Sequence, residues 1–424
     1  MKKVQLLSPA GNLTKLKIAL DYGADAVYGG VSHFSLRNRA GKNFDFETFK
    51  EGIDYAHARG KKVYAAVNGF PFNHQIKLLE KHILQMAEIN PDAFIIAAPG
   101  VVRLAKKLAP QIPIHLSTQA NVLNILDAEV FYDMGVKRIV AAREMSLKDA
   151  IEIKKHLPDL ELEIFVHGSM CFAFSGRCLI SALQNGRVPN RGSCANDCRF
   201  DYEYYVRNPD NGVMLRLEEE EGIGTHIFNS KDLNLASHLE EILQSGAIDA
   251  LKIEGRTKST YYAGITARTY KMAINDYYAG ISRPELYQDE LHTLKNRGFT
   301  DGYLIRRPFE RLDTQNHHTA ISDGDFQVCG EVDEAGEGFL CKHTAKIGDA
   351  LEIIAPLDAT IPLVENSIGR IYQHGEKHYL TLHKILLDDG KELEAIHSGN
   401  IHKVKLPATL PPYTFLRVPL IKAL

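Results

Sequence analysis

Cys171, Cys178, Cys194 and Cys198 are spaced C-x6-C-x15-C-x3-C in a chain with six cysteines in all. Four thiolates can complete the coordination of a 4Fe–4S cluster or of a tetrahedral zinc. Structural zinc sites usually place roughly two to four residues between paired cysteines, so the longer first gap points to iron–sulfur, with zinc as the alternative. The segment around them is rich in Gly, Asn, Ser and Arg, which argues for ligation and against four unrelated core cysteines. Residues 171–200 hold Arg177, Arg187, Arg191 and Arg199 against the single acid Asp197, a local charge of +3. Those guanidinium groups could offset the negative charge of four thiolates or meet phosphate, and both readings stand. Cys329 and Cys341 are isolated within strand-like runs and read as small buried hydrophobes.

A second set of candidates depends on the elements that carry it. Short β-branched runs alternate with segments of helical period, the pattern of βαβ units. Strands are expected at Val4–Leu7, Ala26–Tyr28, Lys62–Val67, Ala93–Ala97, Ile114–Leu116, Arg138–Ala141, Glu161–Val166 and Ala250–Ile253. Eight such units favour an α/β fold of the (β/α)8, TIM-like barrel type over an open doubly wound sheet. The C-terminal strand ends of a barrel carry its site. Here they would present Ser8, Tyr28, Asn68, Ser117, Gln119, Arg143, His167, Glu254 and Arg256. Arg143 and Arg256, with Arg37 and Arg39 after the second strand, could clamp a carboxylate-bearing small molecule through paired N–H donors, with Asn68 and Gln119 as further substrate contacts. His167 is a candidate proton carrier, and Glu254 a candidate general base or a partner for Arg256.

Residues 168–249 are too long for an ordinary βα connection and form an insertion that holds the cysteines and, at Tyr202–Val206 and Val213–Leu217, a hairpin. The barrel domain is expected over 1–317. After it the texture becomes short alternating strands with Gly-rich turns, read as a small C-terminal β-barrel domain at 318–424. With 424 residues, 45% apolar and 24% charged, the composition is that of a soluble globular chain. A formal charge of −3 provides no global field toward nucleic acid, so any RNA contact must be local. The longest apolar run ends at Pro99, far short of a membrane span, and the start reads as a strand instead of a signal peptide. A cytoplasmic location follows, where cysteines stay reduced. The motifs H-E-x-x-H, G-x-S-x-G and G-x-x-x-x-G-K-[ST] do not occur.

Several phrases together resemble the collagenase-like peptidase family of unassigned catalytic type: Leu7-Ser8-Pro9-Ala10-Gly11, His167-Gly168-Ser169-Met170-Cys171, Ser175-Gly176-Arg177-Cys178, Asn229-Ser230-Lys231-Asp232-Leu233 and Leu251-Lys252-Ile253-Glu254-Gly255-Arg256. The resemblance runs from the first strand to about residue 310 and continues less specifically beyond. It implies an iron–sulfur protein that hydroxylates C5 of the wobble uridine in tRNA in a prephenate-dependent pathway, with Cys171, Cys178, Cys194 and Cys198 as cluster ligands. Prephenate carries two carboxylates, which suits the arginine clamp. Two other readings are a peptidase acting on denatured protein and an RNA-binding scaffold that recruits a separate hydroxylase.

Overall fold

The computed structural model describes residues 3–31, 34–35, 44–171, 173–187, 189, 194–200, 204–207, 209–217, 230–305, 314 and 324–420. Arg37 and Arg39 lie outside the described residues.

Seven parallel strands follow one another in sequence: β1 (Gln5–Pro9), β2 (Ala26–Gly29), β3 (Lys62–Ala66), β4 (Ala93–Ile96), β5 (Ile114–Leu116), β6 (Arg138–Val140) and β7 (Glu161–Ser169). The chain then makes the antiparallel hairpin β8 (Tyr204–Arg207) and β9 (Met214–Leu217), and a short β10 (Asp232–Asn234) that runs antiparallel to the end of β7. Next comes β11 (Ala250–Ile253), parallel to both β7 and β1, so the sheet closes into the expected eight-stranded (β/α)8 barrel. The outer helices are α1 (Leu13–Asp21), α2 (Phe46–His57), α3 (Ile76–Glu88), α4 (Pro99–Leu108), α5 (Ile125–Asp133) and α6 (Leu147–His156). They are followed by the short α7 (Ile180–Asn185), α8 (Leu239–Gln244), α9 (Thr260–Ala279) and α10 (Pro284–His292). Side-chain caps set several of their starts: Asn12, Asp45, Asn124, Ser146 and Ser259 each accept a hydrogen bond from a backbone N–H in the first turn.

The period of two in each strand sorts residues between two layers. Leu7, Tyr28, Tyr64 and Ile95 face inward and pack together, while Leu6, Val27, Val63 and Phe94 face outward into the core shared with the helices. The interior departs from the branched apolar filling usual for such barrels. Glu163, Arg138 and Lys252 are all buried in it. Glu163 takes Lys252 Nζ on Oε1 at 2.7 Å and Arg138 Nη1 on Oε2 at 3.1 Å. Arg138 also reaches Glu161 and Gln5, and Gln5 accepts from the Tyr64 hydroxyl at 2.8 Å.

Beyond the barrel, eight strands from Phe326–Val332 to Phe415–Pro419 form one curled antiparallel sheet, hydrogen-bonded in sequence from Val364–Glu365 at one end to Val404–Lys405 at the other. Its core holds Phe339, Leu351, Leu380 and Leu416 together with Cys329 and Cys341, both buried as the sequence suggested. The opposite side of the sheet meets the barrel: Phe415, Ile354 and Tyr413 join the barrel's apolar core, and the Tyr22 hydroxyl shares its one proton between the carbonyls of Ile354 and Tyr413 at 2.8 and 2.9 Å.

Candidate active site

At the C-terminal ends of the strands a recess of about 1110 Å³, counted out to its mouth, opens between the barrel and the cysteine insertion. Tyr28, Asn68, Ser117, Gln119, Arg143, Glu254 and Arg256 line it from the strand ends, and Cys171, Cys178, Cys194 and Cys198 line it from the insertion. The two constellations read separately from the sequence therefore share one cavity. All four thiols are half-buried and none is in a disulfide.

The insertion is fastened to the barrel by its own polar side chains. Glu144, in the loop after β6, accepts the Ser175 backbone N–H at 2.8 Å and its hydroxyl at 2.6 Å, and Ser175 Oγ in turn accepts the Arg143 backbone N–H at 3.2 Å. This tie fixes the stretch between Cys171 and Cys178, where Ser175 itself has a φ of +41°. Arg177 donates to the Gln119 carbonyl at 3.2 Å. The second cysteine pair is held against α7: Asn185 donates to Asp197 at 2.7 Å, and Ser181 Oγ accepts from the Ala195 N–H at 3.1 Å. The Ile180 N–H donates to Cys178 Sγ at 3.4 Å.

Cations dominate the charge of the wall. The Arg143 guanidinium lies 4.1 Å from the centre of the Phe165 ring and has no carboxylate partner among the described residues. Arg256 donates to Ser35 Oγ at 2.7 Å, and its guanidinium lies 6.0 Å from the Tyr28 ring centre. Glu254 is buried, its backbone N–H bonded to the His167 carbonyl at 2.8 Å and its carbonyl to the Tyr262 hydroxyl at 2.6 Å. Gln119 Oε1 is buried in this wall without a hydrogen-bond partner among the described residues. Such an acceptor is costly unless something donates to it.

Two residues expected at the mouth are not brought there. Ser8 is buried and faces the helix layer, since its neighbours Leu7 and Gln5 take the inward positions. His167 also points outward. Simple alternation after Glu163 and Phe165 would turn it in, but β7 carries an extra residue: Lys252 pairs with Phe165 and the next residue, Ile253, with His167. This bulge puts His167 on the outward face beside Ile253, among Tyr262, Tyr270 and Phe299 at centroid distances of 5.6–5.8 Å. Burial, and secondarily the charge of Lys258, push its pKa down to about 3, so the ring is neutral at physiological pH. No histidine lines the recess among the described residues. Conversely, Lys252 lines the floor of the recess, a position that spacing arguments missed. Its signal was a lysine in the middle of the otherwise apolar strand Ala250-Leu251-Lys252-Ile253.

A family model described as peptidase family U32 matches residues 11–314. The chain is 73% identical over 417 residues to tRNA hydroxylation protein P of Helicobacter pylori strain J99, covering 98% of this chain and 99% of that protein. It is 37% identical to tRNA hydroxylation protein P of Escherichia coli K12, covering 87% and 90%. Among solved structures, the U32 peptidase Mk0906 aligns with a TM-score of 0.40 at 14% identity, covering 61% of this chain and 95% of that one. No helix among the described residues is long and apolar enough to cross a membrane. The match over 11–314 takes in every strand of the barrel after β1 and all four cysteines at its mouth, and the chain belongs to peptidase family U32.

Proposed function

We propose that this protein is a cytoplasmic tRNA-modifying enzyme that hydroxylates C5 of the wobble uridine to 5-hydroxyuridine, with prephenate or a related carboxylate-bearing small molecule as co-substrate and a 4Fe–4S cluster as cofactor. The observation that carries the reading is that four cysteines and the basic strand-end residues line one recess. The near full-length relatives named for tRNA hydroxylation support it.

Cys171, Cys178, Cys194 and Cys198 would hold the cluster. Four sulfur donors without a carboxylate or imidazole among them suit iron–sulfur or zinc. Bound there, such a cluster supplies one-electron chemistry. The chain's own residues do the rest. Arg143 offers unspent N–H donors to a carboxylate, and Arg256 faces the same space. Asn68 and Gln119 provide amide contacts, Gln119 through an acceptor that awaits a donor. Glu254 is the carboxylate placed to hold or move a proton. A hydrolase of the Ser–His or Cys–His type would need an imidazole in the recess, and the described lining has none.

Nucleoside mass spectrometry of tRNA from a deletion strain tests the reading. The deletion should lose 5-hydroxyuridine and its derivatives, the wild-type gene should restore them, and Cys171→Ser should not. Arg143→Ala should lower the restored level at least about tenfold. Purified under anaerobic conditions, the wild-type protein should be brown and release iron and sulfide, and Cys171→Ser should be depleted in both. An unchanged nucleoside profile in the deletion strain would sink the hydroxylase reading.

A further inference from the structure

The interior trio of Glu163, Arg138 and Lys252 is unnecessary for packing. Barrel interiors are ordinarily filled by branched apolar side chains, and a buried ion pair contributes little to stability over an apolar replacement. Lys252 differs from its two partners in that it also lines the recess. Its residue is 4% exposed. An ammonium has three N–H donors. Among the described residues the Lys252 ammonium makes one hydrogen bond, to Glu163 Oε1 at 2.7 Å, and otherwise meets the rings of Tyr28 and Phe165 at 4.3 and 5.6 Å from their centres. Glu163 divides its two oxygens between Lys252 and Arg138, so one carboxylate serves two cations at this depth. Desolvation pulls the lysine's pKa down and Glu163 holds it up. Donor capacity is thus left over on a buried cation at the bottom of a cavity whose wall carries Arg143 and Arg256.

We infer that Lys252 is a substrate-binding residue: it donates to a carboxylate oxygen of the small molecule at the floor of the recess, while the arginines take the outer end. Glu163 is the positioning residue that aims it. A ligand with two separated carboxylates spans such a floor-to-wall arrangement better than one with a single acid group. The inference rests on the carboxylate reading above and assigns its inner contact.

Calorimetric titration of the intact protein with prephenate tests it. Wild type should bind, and Lys252→Met should weaken binding at least about 20-fold, the loss expected for a hydrogen bond to a charged group. Because Lys252→Met leaves Glu163 with Arg138 alone and frees its Oε1, the double variant Glu163→Gln/Lys252→Met removes both charges of that pair. It should keep the wild-type circular dichroism and still bind weakly, with Lys252→Arg recovering part of the affinity. Wild-type affinity in the double variant would overturn the role of Lys252 and leave the carboxylate reading in place. Absence of prephenate binding by wild type would overturn both.

Discussion

His167 shows how one inserted residue changes what a side chain can do. Turned out of the barrel by the bulge in β7, it is 2% exposed, and the Tyr270 hydroxyl stands 3.4 Å from its Nδ1. A histidine held neutral in the fold with a pKa of about 3 regains its ordinary value near 6.5 on unfolding. Between those values the unfolded chain binds a proton that the native chain does not, so native stability falls as pH drops below about 6.5. The slope from this one group approaches about 1.4 kcal/mol per pH unit. His167→Gln should therefore flatten the acid limb of a plot of unfolding free energy against pH between 6 and 4. An acid limb as steep as wild type would show that the ring does not carry this linkage. The alternation of types in Glu161–Val166 predicted the strand correctly, but a bulge has no composition of its own, and His167 was assigned to the wrong face. Arg143, Glu254 and Arg256 were legible because each lies within three residues of the end of a strand that is marked by a change from apolar to polar residues.

At the scale of elements, the site depends on how closely the ends of β7 and β11 approach. Gly168, with a φ of +112°, closes β7 against the residue that follows β11: a Cβ there would stand 2.4 Å from the Glu254 carbonyl oxygen and 2.9 Å from the Tyr262 hydroxyl. The first of these contacts is backbone and cannot rotate away. Gly60, with a φ of +66°, has nothing within 4 Å of the same position. Gly60→Ala should cost about 1–2 kcal/mol for the left-handed backbone alone. Gly168→Ala adds a clash to the strain and should cost about 2–5 kcal/mol, while displacing Glu254 from the recess. Urea unfolding of the two variants checks this, and equal losses would mean that the strands are not packed as tightly as described. The eight barrel strands could be placed from sequence to within three residues, the largest miss being the end of β7 at Ser169, since burial on both faces writes a continuous apolar run. The fastening of the insertion could not. Glu144, Ser175, Ser181 and Asn185 are ordinary polar residues in loops or on a short helix, and only the fold brings Glu144 to Ser175 across 31 positions.

The molecule as a whole is held together at Arg417, whose guanidinium is 1% exposed where the C-terminal sheet meets the barrel's helices. Within the sheet it pairs with Glu352 at 3.0 and 3.1 Å. Across the junction it pairs with Glu290 of α10 at 3.0 and 3.2 Å and donates to the Tyr261 hydroxyl of α9 at 2.9 Å. Beside it, Phe415 sits in the barrel's own core and packs edge-on to Tyr261 at 5.2 Å. Two domains that share apolar core and a buried ion network should unfold together. Tyrosine fluorescence and far-ultraviolet circular dichroism should therefore trace one urea transition for the wild-type chain, and two separated transitions would refute the shared core. Arg417→Met leaves Glu290 without its cation and Glu352 with only Lys377 at 3.1 Å, and should lower stability by about 3–5 kcal/mol. Glu290→Met/Glu352→Leu/Arg417→Met removes the stranded charges as well and should recover most of that loss, because the penalty belongs to the orphaned carboxylates and not to the missing guanidinium. A triple variant as unstable as the single one would mean that the guanidinium's own contacts with Tyr261 and with the Phe326 ring, 4.3 Å from it, hold the domains together.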